Sequence, residues 1–453
     1  MQTRGKFATS FGVLTATLGS AVGLGNIWKF PYITGKFGGA AFIIVYLICV
    51  ALASLPVMIS EIVVGRRTNS NAVGAFKKLK PCSAWPLIGY AGIASSFLIM
   101  FFYTGVAGWV YSYIFRALGG TFVNATSDVT GTIFKGLITD SLSPIIWQVV
   151  VLLVVGVIII AGVEKGIERI TKALMPLLFI LLILCDIRAL TLPGASMGVK
   201  FLFNPDFTVI KGDVLLIALG LAFFKLSVGM GTMITYGSYF GKQENIPATA
   251  VKVALSDIVV SMMAGLAIFP AVFAFGFKPD AGPGLLFITI PMVFSKMPMG
   301  NVLLAVFFLL TAIAATTAMI SLLEVPVAYL VDEKGWPRWK ATVLSTGIIA
   351  LIGSTASLSA DPAGVLGATK IFGKTFFDLY DYISSNILMP LGGIFIVIFT
   401  GWFFGKWNLQ LELSNGGRLK NGVFLNVFLI ITRFVSPVLI ALVFLNAIGI
   451  LKI

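Results

Sequence analysis

Two segments of this sequence, Val22-Gly23-Leu24-Gly25 and Val228-Gly229-Met230-Gly231, repeat a V-G-x-G pattern inside otherwise apolar stretches. The chemistry they offer is binding rather than bond-making. Glycine lets a helix unwind, and an unwound turn exposes N–H donors and C=O acceptors. Lipid cannot satisfy those groups, so they must face a cavity and a polar ligand. One such pattern alone reads as glycine-mediated helix packing. Two in corresponding places read as the paired broken helices of a transporter with its site at the bilayer midplane. Ionisable side chains inside apolar stretches include Glu61, Lys225 and Arg433. Such groups are functional by default, although the sequence offers Arg433 no role. Catalysis finds no support. There is no histidine, which removes histidine-ligated metals and Ser-His or Cys-His nucleophile pairs. Cys49, Cys82 and Cys185 lack metal-ligand spacing, and no disulfide framework is expected. The chain is not expected to be an enzyme.

The elements that must position these segments follow from composition. Of 453 residues, 58% are hydrophobic and 11% charged, against a usual charged fraction of about 25%. Mean hydropathy is +1.01. So few charges cannot coat a soluble fold, and the expectation is an all-α, multi-pass membrane protein. Eleven apolar stretches are long enough to span: about 8–34, 38–65, 86–119, 145–163, 167–191, 213–238, 248–277, 298–331, 339–355, 376–405 and 421–449. The broken stretches are first and sixth, so residues 1–195 and 206–405 are expected to form two inverted five-helix repeats, with 421–449 as an added eleventh helix of a single domain, 1–453. Lys and Arg favour the side of the N-terminus, 18 against 11. That bias predicts a cytoplasmic N-terminus and an external C-terminus. It also accounts for the net charge of +14 without nucleic acid; the partners expected are a small molecule and the bilayer.

The segment Gly19-Ser20-Ala21-Val22-Gly23-Leu24-Gly25-Asn26-Ile27-Trp28-Lys29-Phe30-Pro31 resembles the first-helix signature of the neurotransmitter:sodium symporter family. Gly38-Gly39-Ala40-Ala41-Phe42, Tyr103 with Ala107-Gly108-Trp109, Ile234 to Tyr239, and Leu322-Leu323-Glu324 extend the likeness along almost the whole chain. It resembles the bacterial, eleven-helix branch, which implies the leucine-transporter-type fold, alternating access and a place in the cytoplasmic membrane, as a monomer or a homodimer. The resemblance implies that a substrate amine meets carbonyls of Ala21, Phe224 and Ser227. Its carboxylate would meet amides near Leu24 and Gly25 and the Tyr103 hydroxyl, and free N–H groups at a helix N-terminus suit an anion. Gly23 stands where monoamine carriers have aspartate, so the substrate must bring its own carboxylate. Ile99, Phe224, Met230, Ala318 and Leu322 would form an apolar wall suited to a hydrophobic or aromatic α-amino acid. Lys29 with Asp381 would gate the outside, and Arg4 with Asp332, beside Ser238 and Tyr239, the inside. Gly166 and Pro176 match a motif linked to unwinding of the fifth helix, and Glu61 a brace on the sixth.

The ion sites depart from the family pattern. At the first sodium site Ala21 and Asn26 are kept, but Lys225 replaces a hydroxyl and Ser256 an asparagine. Lys225 is expected to substitute for the first ion with its own charge. The second site keeps Gly19, Val22, Ala314 and Thr317, while Ala318 removes a serine ligand, so Na+ is expected there if anywhere. Chloride dependence is not expected, and no other cofactor. The alternatives are conventional sodium symport through the second site, or a substrate-gated channel or sensor on the same fold.

Overall fold

The computed structural model describes residues 5–210, 212–276 and 284–451, and its described residues form helices joined by turns. The first apolar stretch is broken. Helix α1 (Ser10–Ala21) meets α2 (Gly25–Lys36) at a bend of 53°. There follow α3 (Ala40–Thr68), α4 (Ala72–Leu79), α5 (Pro86–Leu118), α6 (Ser127–Thr139), α7 (Ser143–Ile160), α8 (Val163–Leu190) and α9 (Ala195–Phe203). The second half holds α10 (Gly212–Lys225), α11 (Thr232–Gly237), α12 (Ile246–Ala274), α13 (Leu285–Ser295), α14 (Gly300–Lys334), α15 (Arg338–Leu358), α16 (Phe376–Phe403), α17 (Lys406–Leu413) and α18 (Gly422–Ala447).

Nine of the described helices are long and apolar enough to cross a membrane, or ten if α1 and α2 make one bent span. The expected span 213–238 is not a continuous helix. It consists of α10 and α11, of 14 and 6 residues, around an unwound Leu226–Gly231. The cause is local: Ser227, Gly229 and Gly231 have φ of 51°, 80° and 77°, which a right-handed helix cannot contain. Among the helices outside the apolar stretches, α6 and α13 pack against each other.

The bundle is built around α5 and α14. In their most apolar stretches 78% and 83% of residues are buried, against 28% in α18, so α18 faces lipid. With lipid as apolar as leucine, helices associate through small residues and polar contacts, and the chain does both. Gln148 on α7 donates to Thr104 on α5 at 3.0 Å and accepts from Ser357 on α15 at 3.0 Å. Glycines let backbones meet: a Cβ at Gly65 of α3 would lie 2.0 Å from the Ile234 carbonyl of α11.

Gly229 is constrained twice: it has a positive φ, and a Cβ there would lie 2.3 Å from the Met389 carbonyl on α16. Gly229→Ala should cost about 1–2 kcal/mol for the backbone alone, and more for displacing α16. Gly347→Ala on α15, whose Cβ would meet nothing within 4 Å, should be neutral or slightly stabilising. Apparent unfolding temperatures of the purified variants in detergent check both; equal temperatures would contradict the packing described.

Candidate functional site

The two breaks lie against each other. Ser227 Oγ donates to the Ser20 carbonyl at 2.7 Å, and a Cβ at Gly25 would stand 3.4 Å from both Phe224 Cε1 and Lys225 Cγ. Side chains satisfy part of the unwound backbone. The Thr232 hydroxyl donates to the Ser227 carbonyl at 2.6 Å, and Glu61, reaching from α3, accepts the Gly229 N–H at 2.6 Å. Between the breaks is a cavity of about 30 Å³ lined by Ser20, Ala21, Gly23, Gly25, Ile99, Tyr103, Phe224, Lys225, Ser227, Met230, Ala318 and Leu322. That is room for about two waters, less than an amino-acid side chain needs. The residues expected at the substrate pocket all line it except Leu24. The Leu24 N–H donates to Tyr103 Oη at 2.7 Å. Gly23 is sterically required here: a Cβ would lie 2.7 Å from Tyr103 Oη and 3.0 Å from Ala318 Cβ.

Above this cavity a second one of about 250 Å³ holds Leu24, Trp28, Lys29, Tyr32, Phe102, Val106, Phe377, Asp378 and Asp381. Gly25, Tyr103 and Phe224 line both cavities, so the two rings form the partition. The expected Lys29–Asp381 ion pair is not among the salt bridges of the described residues. Lys29 Nζ stands 4.5 Å over the Phe224 ring instead, while Asp381 accepts from Ser385 at 2.8 Å. The reason is chemical. A lysine lacks the planar fork that fixes an arginine on a carboxylate, and an aromatic face is an alternative for its cation.

Lys225 is fully buried and paired. Its ammonium lies 3.0 Å from Asp257 Oδ2 on α12, with both side chains at 0% exposure, donates to Tyr46 Oη at 3.0 Å, and also bonds Ser261 Oγ. It sits 4.5 Å over the Phe30 ring. Asn26 joins the cluster, its amide donating to Asp257 Oδ1 at 2.6 Å and to Ser261 at 3.0 Å. The seventh-span residue that meets Asn26 is therefore Asp257, and Ser256 is only half-buried. Asn26 is met here by Asp257 and Ser261 rather than by the expected Ser256, one residue and so a 100° turn along the helix. From sequence, Asp257 is readable as an alternative partner for Lys225, and the structure makes that pair; its contact with Asn26 is what the sequence reading did not place.

At the second ion position Thr317 Oγ lies 3.1 Å from the Ala314 carbonyl and 3.5 Å from that of Val22. A Cβ at Gly19 would stand 3.1 Å from Thr317 Cβ. Oxygen-bearing groups of α1 and α14 thus converge. Thr316 faces away, within 2.6 Å of Tyr111 Oη.

The opposite end of the bundle is shut by aromatic rings and a cap. Phe7 packs edge-on to Tyr236 and Tyr239, with centroids 5.7 and 5.8 Å apart. Tyr239 Oη donates to Glu324 at 2.6 Å, and Arg338 bonds the same carboxylate. Arg4 lies outside the described residues; Asp332 accepts from the Asn71 N–H at 3.1 Å. Glu168, two residues beyond Gly166, caps the start of α1 by accepting the N–H groups of Ala8 and Thr9, at 2.6 and 3.2 Å. The Gly166 segment is wound here, as a wide turn leading into α8, and Pro176 lies within that helix.

The buried pair gives a direct expectation. Lys225→Thr strands the Asp257 carboxylate and Asp257→Asn strands the ammonium, each at a cost of about 3–5 kcal/mol. The double variant should recover much of that loss. Unfolding of the four proteins, read as a double-mutant cycle, should give a coupling of at least about 1 kcal/mol. Additive losses would place the two groups apart.

With this geometry in view, comparison with known proteins is direct. Residues 4–130 and 134–452 match the sodium:neurotransmitter symporter family. The chain is 40% identical over 447 residues to YhdH, named a sodium-dependent transporter, of Bacillus subtilis, covering 99% of this chain and 98% of that one. It is 26% identical to the human sodium- and chloride-dependent taurine transporter over 90% of this chain and 72% of that one. The crystal structure of MhsT in complex with L-phenylalanine superposes with a TM-score of 0.90 at 43% identity, covering 98% of this chain and 100% of that one. The chain belongs to the sodium:neurotransmitter symporter family and is a multi-pass membrane transporter, not an enzyme.

Proposed function

We propose that the protein moves a hydrophobic or aromatic α-amino acid across the membrane by alternating access, coupled to Na+. The observation that carries this reading is the central cavity, which joins the ends of two broken helices to an apolar wall. The carboxylate takes the place of Tyr103 Oη at the Leu24 N–H, where the positive end of α2 favours an anion, and Tyr103 turns its proton to the carboxylate. The ammonium meets the carbonyls of Ala21, Phe224 and Ser227. The side chain opens the collapsed space between Ile99, Met230, Ala318 and Leu322, and Met230 adapts to its shape. The L-phenylalanine in MhsT is consistent with such a substrate. The N-terminus lies on the cytoplasmic side, and residues 1–195 and 206–405 are the inverted halves that rock about the site.

Na+ is proposed at the second position, on the carbonyls of Gly19, Val22 and Ala314 and the Thr317 hydroxyl. At the first position the Lys225–Asp257 pair stands in for an ion, giving one Na+ per substrate. A second reading is favoured by Asp257 Oδ1 lying 2.6 Å from the Asn26 amide. If that amide turns its oxygen inward, Asn26 and Asp257 together ligate a cation that Lys225 balances, giving two Na+ per substrate. Chloride has no part in either, since the ammonium already holds Tyr46 and Ser261.

Proteoliposomes loaded with K+ and diluted into Na+ medium should accumulate phenylalanine, leucine or tryptophan, and not aspartate or lysine. Replacing external Na+ by choline should abolish accumulation. The Na+ dependence separates the ion readings: hyperbolic for one ion, sigmoidal for two. Uptake that never exceeds equilibration would indicate a channel and overturn the proposal.

Gly23→Ala should weaken substrate binding by at least about tenfold while the protein stays folded, because its methyl group enters the space of Tyr103 Oη and Ala318. Scintillation-proximity binding reads this, and unchanged affinity would move the carboxylate site elsewhere.

A further inference from the structure

We propose that Arg433 holds the phosphodiester of an anionic phospholipid in the cleft between α16 and α18. The cleft is built rather than incidental. Both helices widen at the same level, with the Phe404 N–H bonded five residues back to the Phe399 carbonyl on α16, and Ser436 to Ile431 on α18. Gly401, in the first of these turns, has no side chain, and a Cβ there would lie 3.0 Å from Arg433 Cγ. The arginine stem therefore lies directly on the α16 backbone. Nε donates to the Gly401 carbonyl at 2.7 Å, and the guanidinium carbon stands 5.2 Å from the Trp402 ring centre.

That accounts for one N–H of five. No ion pair or other hydrogen bond among the described residues includes Arg433, and its side chain is half-buried on the lipid-facing helix of the bundle. Its neighbours Trp402 and Phe434 are 55% and 56% exposed. An arginine beside lipid without an acid is costly unless an anion covers it. The neighbouring residues point to the anion. Arg433 lies midway along α18, but its partner Gly401 is two residues from the end of α16 at Phe403, and exposed Trp402, Trp407 and Lys406 beside it are the residue types that concentrate at headgroup level. Clefts of basic residues between spanning helices at this level bind lipid phosphate, whose oxygens match the fork of a guanidinium.

The test is native mass spectrometry of the full chain in detergent, titrated with phosphatidylglycerol or phosphatidylcholine, for the native protein, Arg433→Gln and Arg433→Lys. Phosphatidylglycerol should bind the native protein more tightly than phosphatidylcholine. Arg433→Gln should lose about fivefold in its affinity, with Arg433→Lys between, and inorganic phosphate should not displace the lipid. Equal phosphatidylglycerol affinity in native protein and Arg433→Gln overturns the proposal, as does displacement by phosphate, which would make this a site for a free anion. A change of oligomeric state in Arg433→Gln without a change in lipid affinity would assign the cleft to a second copy of the chain and overturn it equally. Arg433→Lys guards against misfolding, because it keeps the charge and the stem.

Discussion

A peptide group that leaves a helix inside hydrocarbon has no water to turn to, and this chain breaks two helices side by side. Most of the centre of the protein is arranged around that constraint. Glu61 takes the N–H of Gly229, Thr232 takes the carbonyl of Ser227, and Ser227 takes the carbonyl of Ser20. What these contacts leave over lines the cavity, so the polar groups open to a ligand are the remainder of a satisfaction problem. The glycines serve the same end, because Gly23 and Gly229 sit where any side chain would collide with Tyr103 or with α16.

The second constraint is charge. A lone ammonium in the middle of a bundle would repel both Na+ and a substrate amine, yet Lys225 is not alone. Asp257, Tyr46 and Ser261 surround it, and the pair sums to zero while keeping a strong local field. Asn26 touches both the Asp257 carboxylate and the Gly23 N–H, at 2.6 and 3.1 Å. The pair is thereby mechanically linked to the first break. Buried pairs of this kind contribute little net stability, but loss of one partner is severe, which makes the arrangement resistant to piecemeal change.

The architecture was legible because its signals are one-dimensional. Apolar length marks spans such as Pro86–Leu118, and paired V-G-x-G marks the breaks. Most residues of the central cavity were also legible, several of them because they fall in segments with motif likeness, such as Ala21, Gly23 and Gly25 on the first span and Tyr103 on the third. Side-chain phase within a uniformly apolar helix was not. Helix α12 carries Lys252, Ser256, Asp257 and Ser261 in a mostly apolar run, so residue type alone did not fix its phase, and the 100° between Ser256 and Asp257 decided which faces Asn26. Pair contacts between distant elements were the other failure. Lys29 and Asp381 share a cavity as expected, but which of Phe224, Ser385 or each other they choose depends on ångström geometry that residue type does not encode. Arg433 was unreadable for the same reason, its partner being a backbone carbonyl freed by a wide turn.

The first span is held at both of its moving points by bonds that a transport cycle must exchange. At the break, the Leu24 N–H is bonded to Tyr103 Oη, a neutral acceptor, and a charged acceptor would make a hydrogen bond about twice as strong. At the start, Ala8 and Thr9 are bonded to Glu168, an anion on the segment that carries Gly166 and leads to Pro176. Proline has already removed one hydrogen bond from that helix, so unwinding it costs less than unwinding an intact one. Moving Glu168 by a single turn would release the cap of α1 and, with it, the Phe7 ring seated against Tyr236 and Tyr239. The Gly166 segment is therefore coupled through one carboxylate to the closure of that end, while the break at the other end is held by a different bond. The two ends of the first span are thus closed by separate bonds, so one can be released while the other holds.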